Sequence, residues 1–220
     1  MPIPRTLHAF WGGPPMPDHL AAYLQRWQQL HAGWEFILWT PDTLPALRHQ
    51  DLYDNPEQHS PKSNPWQWRS DLARYEILHD HGGLYIDCDL EPLKPIDPLL
   101  DDCSAIIARE DRWMVNNAFM GCAPGDPFIA DILDGLRAAL AAAGPERRVN
   151  RQIGAHYLTS LIRRHPHVRI LDRHIIYPLH WSDVKHSRPT AIRDGAYTVH
   201  RWQNQASLLE AKRLAREATA

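Results

Sequence analysis

Residues 70–91 read Ser-Asp-Leu-Ala-Arg-Tyr-Glu-Ile-Leu-His-Asp-His-Gly-Gly-Leu-Tyr-Ile-Asp-Cys-Asp-Leu-Glu, and the period of the pattern changes in the middle. The first half predicts a helix over about 66–79, its start fixed by Pro65 and its end by Gly82-Gly83. Asp71 and Arg74 are three apart and share a face, so they can pair or reach one ligand, while Leu72 and Ile77 can turn towards a sheet. The second half predicts a strand over 84–89. Alternation puts Leu84, Ile86 and Cys88 on one side and Tyr85, Asp87 and Asp89 on the other. Two carboxylates one residue apart at a strand end repel each other and need a counter-charge. A hard divalent cation such as Mg²⁺ or Mn²⁺ supplies it, since such ions prefer carboxylate and phosphate oxygens. A bare Asp-x-Asp is far more often a solvated loop pair than a metal site. The apolar strand, the Gly-Gly entry and the Asp/Arg helix beside it favour a metal.

On the N-terminal side, residues 6–11 read as a strand stopped by Gly12-Gly13-Pro14-Pro15. Asp18 can cap a helix with Leu20, Tyr23, Leu24, Trp27 and Leu30 at helical spacing, and 34–39 form a second strand. Residues 44–65, with Asn55-Pro56 and Ser63-Asn64-Pro65, suggest an irregular excursion at the rim. Further on, strands are expected over 104–108, 117–122, 174–179 and 197–202, with helices from Asp126-Pro127 through Leu140, over about 150–164, and over 206–217. Strands alternating with helices argue α/β, with a largely parallel central sheet covered on both faces. Ligands in such sheets bind beyond the carboxyl ends of the strands, which directs attention to Trp11-Gly12-Gly13 and Asp87-Cys88-Asp89.

The length of 220 residues predicts one domain over 1–220, with a core of about 4–203 and a C-terminal helix of about 206–217. With 24 Lys+Arg against 26 Asp+Glu the formal charge is −2, which argues against a nucleic-acid binder working through bulk charge. Cys88, Cys103 and Cys122 are odd in number, widely spaced and free of any CxxC pair, so reduced thiols are expected. No signal-peptide h-region and no membrane-length apolar run is present, which reads as a soluble, cytoplasmic chain. The compositional anomaly is 9 Trp against 4 Phe.

The pattern SDxxRYxxLxxxGGxYxDxD is complete here: Ser70-Asp71, Arg74-Tyr75, Leu78, Gly82-Gly83, Tyr85, Asp87 and Asp89. It resembles the signature of DXD-containing sugar transferases: initiating α-1,6-mannosyltransferases, bacterial capsular and lipopolysaccharide sugar transferases, and the catalytic domain of large glucosylating toxins. The similarity extends from Ile3-Pro4 and 7–13 through Trp39, 117–120 and Tyr177-Pro178 to His200-Arg201-Trp202. What the resemblance implies is a single GT-A (Rossmann-like) domain with a mixed, mainly parallel sheet, a nucleotide-sugar donor, a Mn²⁺ or Mg²⁺ cofactor and retention of anomeric configuration. By similarity, Asp89 ligates the metal, and Asp87 contacts the donor's ribose or sugar hydroxyls, or the metal through water. Asp71 and Arg74 grip the donor sugar and its phosphate, Tyr85 lines the nucleotide site, Trp11 stacks on the base, and Asn117 presents its amide to the transferred sugar. His200 is a candidate third metal ligand, and Trp202 or Arg201 a cover for the phosphates. The sequence departs from the family's late Ser-Trp, because Ser207 precedes Leu208. A UDP-hexose is the favoured donor, with GDP-mannose open. The acceptor is a glycan, a lipid-linked sugar or a protein side chain, and a peripheral membrane association fits some relatives.

Two other readings compete: a metal-dependent phosphohydrolase of nucleotide sugars, and a carbohydrate-binding domain without turnover. The complete motif argues against the second, and the single acidic pair argues against the first. No residue identifies itself as the carboxylate nucleophile of a double displacement. Glu110 and Asp111 follow a candidate strand end and could face the acceptor. Arg147-Arg148 and Arg163-Arg164 are solvated helix ends or contacts for an anionic acceptor, and Trp66 and Trp68 are a packing cluster or a sugar platform.

Overall fold

In a computed structural model that describes residues 1–185, 192 and 194–203, the chain opens with β1 (Thr6–Phe10), α1 (Asp18–Leu30) and β2 (Glu35–Trp39). Two short helices, α2 (Gln50–Asp54) and α3 (Pro56–His59), lead to the long helix α4 (Pro65–His81). Then come β3 (Gly83–Ile86), β4 (Leu90–Pro92), β5 (Ala105–Arg109), β6 (Val115–Cys122) and α5 (Pro127–Ala143). Short elements follow: α6 (Val149–Gln152), α7 (Ala155–Leu161), β7 (Arg169–Leu171), α8 (Arg173–Ile176), α9 (Trp181–Lys185) and β8 (Thr198–His200).

Six strands form one sheet in the order β2-β1-β3-β6-β5-β7. β1 is parallel to β2 and β3, and β5 is parallel to β7, while β6 is antiparallel to both its neighbours. The carboxyl ends of β1, β2, β3, β5 and β7 therefore share one edge, and β6 enters the sheet from that same edge. β4 and β8 form a separate antiparallel ribbon in which Leu90 pairs with His200. This is the mixed, mainly parallel sheet that the strand–helix alternation predicts.

The β3 alternation sorts its side chains between two cores. Leu84 and Ile86 join Leu7, Ala9, Trp27, Ile106 and Phe119 on one face, whereas Tyr85 joins Leu72, Ile107, Met120, Phe128 and Leu133 on the other. Helix α4 starts where Asn64 Oδ1 accepts the Trp66 N–H at 2.8 Å, with Pro65 in the first turn, where its missing N–H costs nothing. It ends at Gly82 (φ +64°), and Gly83 (φ +83°) turns the chain into β3. A Cβ at Gly83 would stand 2.7 Å from the Thr6 carbonyl oxygen, so both backbone conformation and strand spacing require glycine there.

Three expectations are corrected. Residues 44–65 are not a rim excursion: α2 and α3 dock on α4, with Trp68 Nε1 donating to Leu52 O at 2.8 Å and the buried Glu76 accepting from the His49 N–H at 2.9 Å. Helices this short carry too few turns to show a period. The predicted strand over 174–179 is instead the single turn α8, and the sheet gains β7 just before it. The helix expected over 150–164 is broken at Gly154, which separates α6 from α7. The C-terminal helix expected over 206–217 lies outside the described residues. Cys88, Cys103 and Cys122 are free thiols. No helix among the described residues is long and apolar enough to cross a membrane.

Candidate active site

A cleft of about 730 Å³ opens along the carboxyl edge of the sheet, a size suited to a small organic ligand. Strand ends supply its floor: Trp11 follows β1, Asp87 follows β3, Glu110 follows β5, and Asn116 and Asn117 begin β6. Between Ile107 and Ala108 the β5–β6 register shifts from Met120 to Asn116, so a bulge occurs where these asparagines enter the cleft.

Arg74 is the hub. Its side chain is 2% exposed, and its Nη2 lies 2.9 Å from Asp71 Oδ1 and 3.0 Å from Asp87 Oδ1. The rest of the guanidinium is satisfied by Ser70 Oγ at 2.9 Å, Ser70 O at 3.3 Å and Asn117 O, and it stacks 4.7 Å over the Tyr85 ring. Asn117 Nδ2 donates to Asp71 Oδ1 at 3.0 Å, which leaves Asp71 Oδ2 beside Gly154, where a Cβ would come within 3.3 Å of it. Tyr75 ties α4 to the α6–α7 junction by donating to Ile153 O at 2.7 Å.

Burial dominates the electrostatics of this cluster. It pushes the Asp71 carboxyl up to about 6, against the opposing pull of Arg74. Burial also raises Asp87, again against Arg74. For Arg74 burial works against the cation, but Asp87 and Asp71 outweigh it and hold the guanidinium charged.

The Asp87-Cys88-Asp89 segment is a turn between β3 and β4, because β3 stops at Ile86. The turn is anchored by Cys88, 7% exposed, whose Sγ donates to Phe10 O at 3.4 Å. Asp87 and Asp89 thereby flank a buried residue and face the cleft. The ribbon brings His200 to them: its Nε2 lies 3.0 Å from Asp89 Oδ1, and ligand atoms of Asp87, Asp89 and His200 lie within 4.8 Å of one another. Adjacent ligands of an octahedral cation at roughly 2.1 Å stand about 3 Å apart, so the Asp89–His200 spacing suits a shared ion. Two carboxylates and an imidazole fit Mn²⁺ or Mg²⁺ with positions left over for phosphate oxygens and water. For Asp89 burial opposes ionisation, but the His200 ring and the Gln203 N–H, donating to Oδ2 at 2.9 Å, keep its carboxyl below the usual range. For His200 burial opposes the cation, and Asp89 overcomes it to raise the imidazole.

Of the residues singled out from the sequence, the structure brings Trp11, Asp71, Arg74, Asp87, Asp89, Asn117, His200 and Trp202 to one cleft. Trp202 is held at φ +52° with Nε1 donating to Leu179 O at 2.8 Å, its ring 4.0 Å from that of His200. Tyr85 is the exception. It is fully buried, does not line the cleft, and shares a 3.1 Å hydrogen bond with Ser70, so it supports Arg74 from below and does not contact a nucleotide. The tryptophan pair divides: Trp68 is core, whereas Trp66 lines the cleft over Gly12, where a Cβ would meet its ring at 2.3 Å. Arg201 pairs with Glu91. The wall contributed by Asn150, Arg151 and Ala155 leaves no signal in the sequence, since its position depends on the break between α6 and α7 at Gly154.

The fold is that of GT-A glycosyltransferase domains. Residues 17–106 match the family described as "Glycosyltransferase sugar-binding region containing DXD motif". Among curated proteins it is similar to inositol phosphoceramide mannosyltransferase 1 of Schizosaccharomyces pombe, 30% identical over 61% of this chain and 43% of that protein. The chain spans between 35% and 43% of the length of the fungal relatives it matches. Among solved structures it resembles the PaToxG glycosyltransferase, with a TM-score of 0.60 at 15% identity over 75% of this chain and 70% of that one. The UDP-bound glycosyltransferase domain of the YGT toxin gives a TM-score of 0.54 at 10% identity over 86% and 87% of the two chains. These two structural likenesses bear on the fold alone.

Proposed function

We propose that this domain transfers a hexose from a nucleoside-diphosphate sugar to a hydroxyl acceptor, with retention, using Mn²⁺ or Mg²⁺ held by Asp87, Asp89 and His200. The observation that carries the reading is the single cleft in which that acidic–histidine cluster sits beside Arg74, itself 3.0 Å from Asp87. A divalent ion bound there would offset the charge that develops on a departing diphosphate. Arg74 adds a buried positive charge whose position is fixed before substrate arrives, so it costs no reorganisation. Asp71 Oδ2 and Asn117 Oδ1 offer acceptors to the hydroxyls of the sugar, since Asn117 Nδ2 already donates to Asp71 and Tyr75, and Trp11 and Trp66 offer ring faces at the β1 end of the cleft.

The mannosyltransferase names of the sequence relatives favour mannose, which moves GDP-mannose ahead of the UDP-hexoses favoured from the sequence alone. The acceptor reading is a hydroxyl on a phosphate-bearing glycan or lipid headgroup. It is supported by the inositol phosphoceramide in the name of the relative and by Arg148 and Arg151, whose side chains line the cleft without ion pairs among the described residues. A cytoplasmic enzyme that meets such headgroups at a membrane surface accords with that chemistry.

The test is a panel of GDP- and UDP-sugars with Mn²⁺, Mg²⁺ or chelator, read as nucleotide release and as anomeric configuration of the product. Metal-dependent turnover of one donor, abolished in Asp89→Ala and strongly reduced in Asp71→Ala, is the expected result. Binding without turnover would favour the carbohydrate-binding reading, and cleavage within the diphosphate would favour the phosphohydrolase.

A further inference from the structure

The donor and metal roles leave one buried carboxylate of the cleft without employment. Glu110 is the residue immediately after β5, at the sheet edge that carries Asp87, and it is 7% exposed while lining the cleft. Its backbone N–H donates to Met114 O at 2.8 Å, which fixes the turn into β6. Its Oε2 accepts from Asn116 Nδ2 at 2.6 Å, and its Oε1 has no hydrogen-bond partner among the described residues. The Asn116 amide cannot reverse without loss, because its Oδ1 accepts the Ala118 N–H at 2.8 Å. The structure thus holds a carboxylate by one oxygen and leaves the other uncommitted at the rim of the cleft where β5 ends.

We propose that Glu110 orients the attacking hydroxyl, its free Oε1 accepting the hydrogen bond of the acceptor O–H and so aiming the oxygen at the anomeric carbon. This rests on the glycosyl-transfer reading above. A carboxylate oxygen in a half-dry cleft is a strong acceptor, and orientation of a reacting hydroxyl is worth orders of magnitude in rate. Burial raises the Glu110 carboxyl, offset by the Asn116 hydrogen bond, with Asp111 adding to the rise and His180 and His200 opposing it. No proton transfer to Glu110 is needed for this role.

The Asn116 amide makes the test sharp. In Glu110→Gln the side-chain oxygen must stay on Asn116 Nδ2, so the Gln NH₂ occupies the place of Oε1 and presents a donor where an acceptor is needed. Adding Asn116→Asp reverses the pair, because Asp accepts from both Ala118 N–H and the Gln NH₂, and turns the Gln carbonyl back to the cleft. Release of GDP or UDP would be measured with alkyl hexosides, with phosphatidylinositol vesicles, and with water as the attacking hydroxyl. Binding of the nucleotide with Mn²⁺ would be followed by calorimetry. Glu110→Gln should lose about a hundredfold in release with nucleotide binding unchanged, and the double variant should regain at least about tenfold. A rate for Glu110→Gln equal to wild type overturns the proposal, and so does a double variant that binds nucleotide normally yet stays at the Glu110→Gln rate. Absence of release by the wild type with every donor overturns the transfer reading itself.

Discussion

Arg74 Nη2 is shared between two carboxylates, 2.9 Å from Asp71 and 3.0 Å from Asp87, inside a protein interior that leaves its side chain 2% exposed. One cation therefore holds together the carboxylate beside Asn117 and the carboxylate of the Asp87–Asp89–His200 cluster. Removing it strands two buried acids at once. Arg74→Ala is expected to cost about 3–5 kcal/mol in urea unfolding and to abolish donor turnover. Arg74→Lys should rescue little of either, since a single ammonium cannot reach both acids while also satisfying Ser70 and Asn117 O. Wild-type-like turnover in Arg74→Lys would show that charge alone is required.

The Asp89–His200 contact predicts a metal-dependent stability. Mn²⁺ at a hundred times its dissociation constant should stabilise the wild type by about 2.7 kcal/mol, visible as a saturable rise in Tm that chelator reverses. Asp89→Asn should remove most of that rise, and His200→Ala should weaken it. A Tm rise undiminished in Asp89→Asn would place the ion elsewhere.

His8 predicts an acid limb. Burial, reinforced by His81, pushes its imidazole down to about 4, while Nδ1 accepts from Trp39 Nε1 at 3.1 Å in the neutral form. The unfolded chain takes up this proton near pH 6.5 and the folded chain only near 4, so stability is full above 6.5 and falls as pH drops through that window. Between pH 7 and 4.5 the loss from this one group is about 2–3 kcal/mol. His8→Gln keeps a hydrogen-bond acceptor but does not titrate, so its unfolding free energy should fall less over the same range. Identical slopes for the two proteins would remove His8 as the cause.

Gly12 predicts a steric effect on the donor site. Its Cβ would overlap Trp66, 2.3 Å from the ring, so Gly12→Ala must displace that ring from the cleft. The expected cost is about tenfold or more in kcat/KM for the donor. Gly33→Ala, with no atom within 4 Å of its Cβ, should be silent. Equal kinetics for the two variants would leave Trp66 without a part in donor binding.

The sequence reveals most where side chains obey a local period or a backbone constraint. The Asp71–Arg74 spacing, the Gly82-Gly83 hinge and the β3 alternation each follow from three or four neighbouring residues, and the structure contains all three. It is less informative where position depends on distant partners. Tyr85 alternates to the same side as Asp87, yet β3 ends between them, so the turn carries Asp87 into the cleft and leaves Tyr85 beneath Arg74. Helices α2 and α3 owe their order to Trp68 and Glu76 of α4, and such contacts leave no periodic trace in residues 50–59. Glu110 was visible as an acid after a strand. Its fixed orientation depends on the Asn116 amide and the β6 bulge, which no spacing rule conveys.

The ribbon of β4 and β8 has a consequence for biogenesis. Leu90, next to Asp89, pairs with His200, and Arg201 N donates to Asp89 O at 3.0 Å. The family match ends at residue 106, well before the histidine that closes the acidic cluster. A ribosome-bound chain can lay down β1, β2 and β3 and expose Asp87 and Asp89 long before residue 200 is synthesised. Until β8 returns, those acids lack their imidazole partner and the Gln203 N–H. On the metal reading proposed above, competence to hold the ion would arrive late in translation, so a nascent or proteolytically shortened domain that keeps the whole signature would be inert.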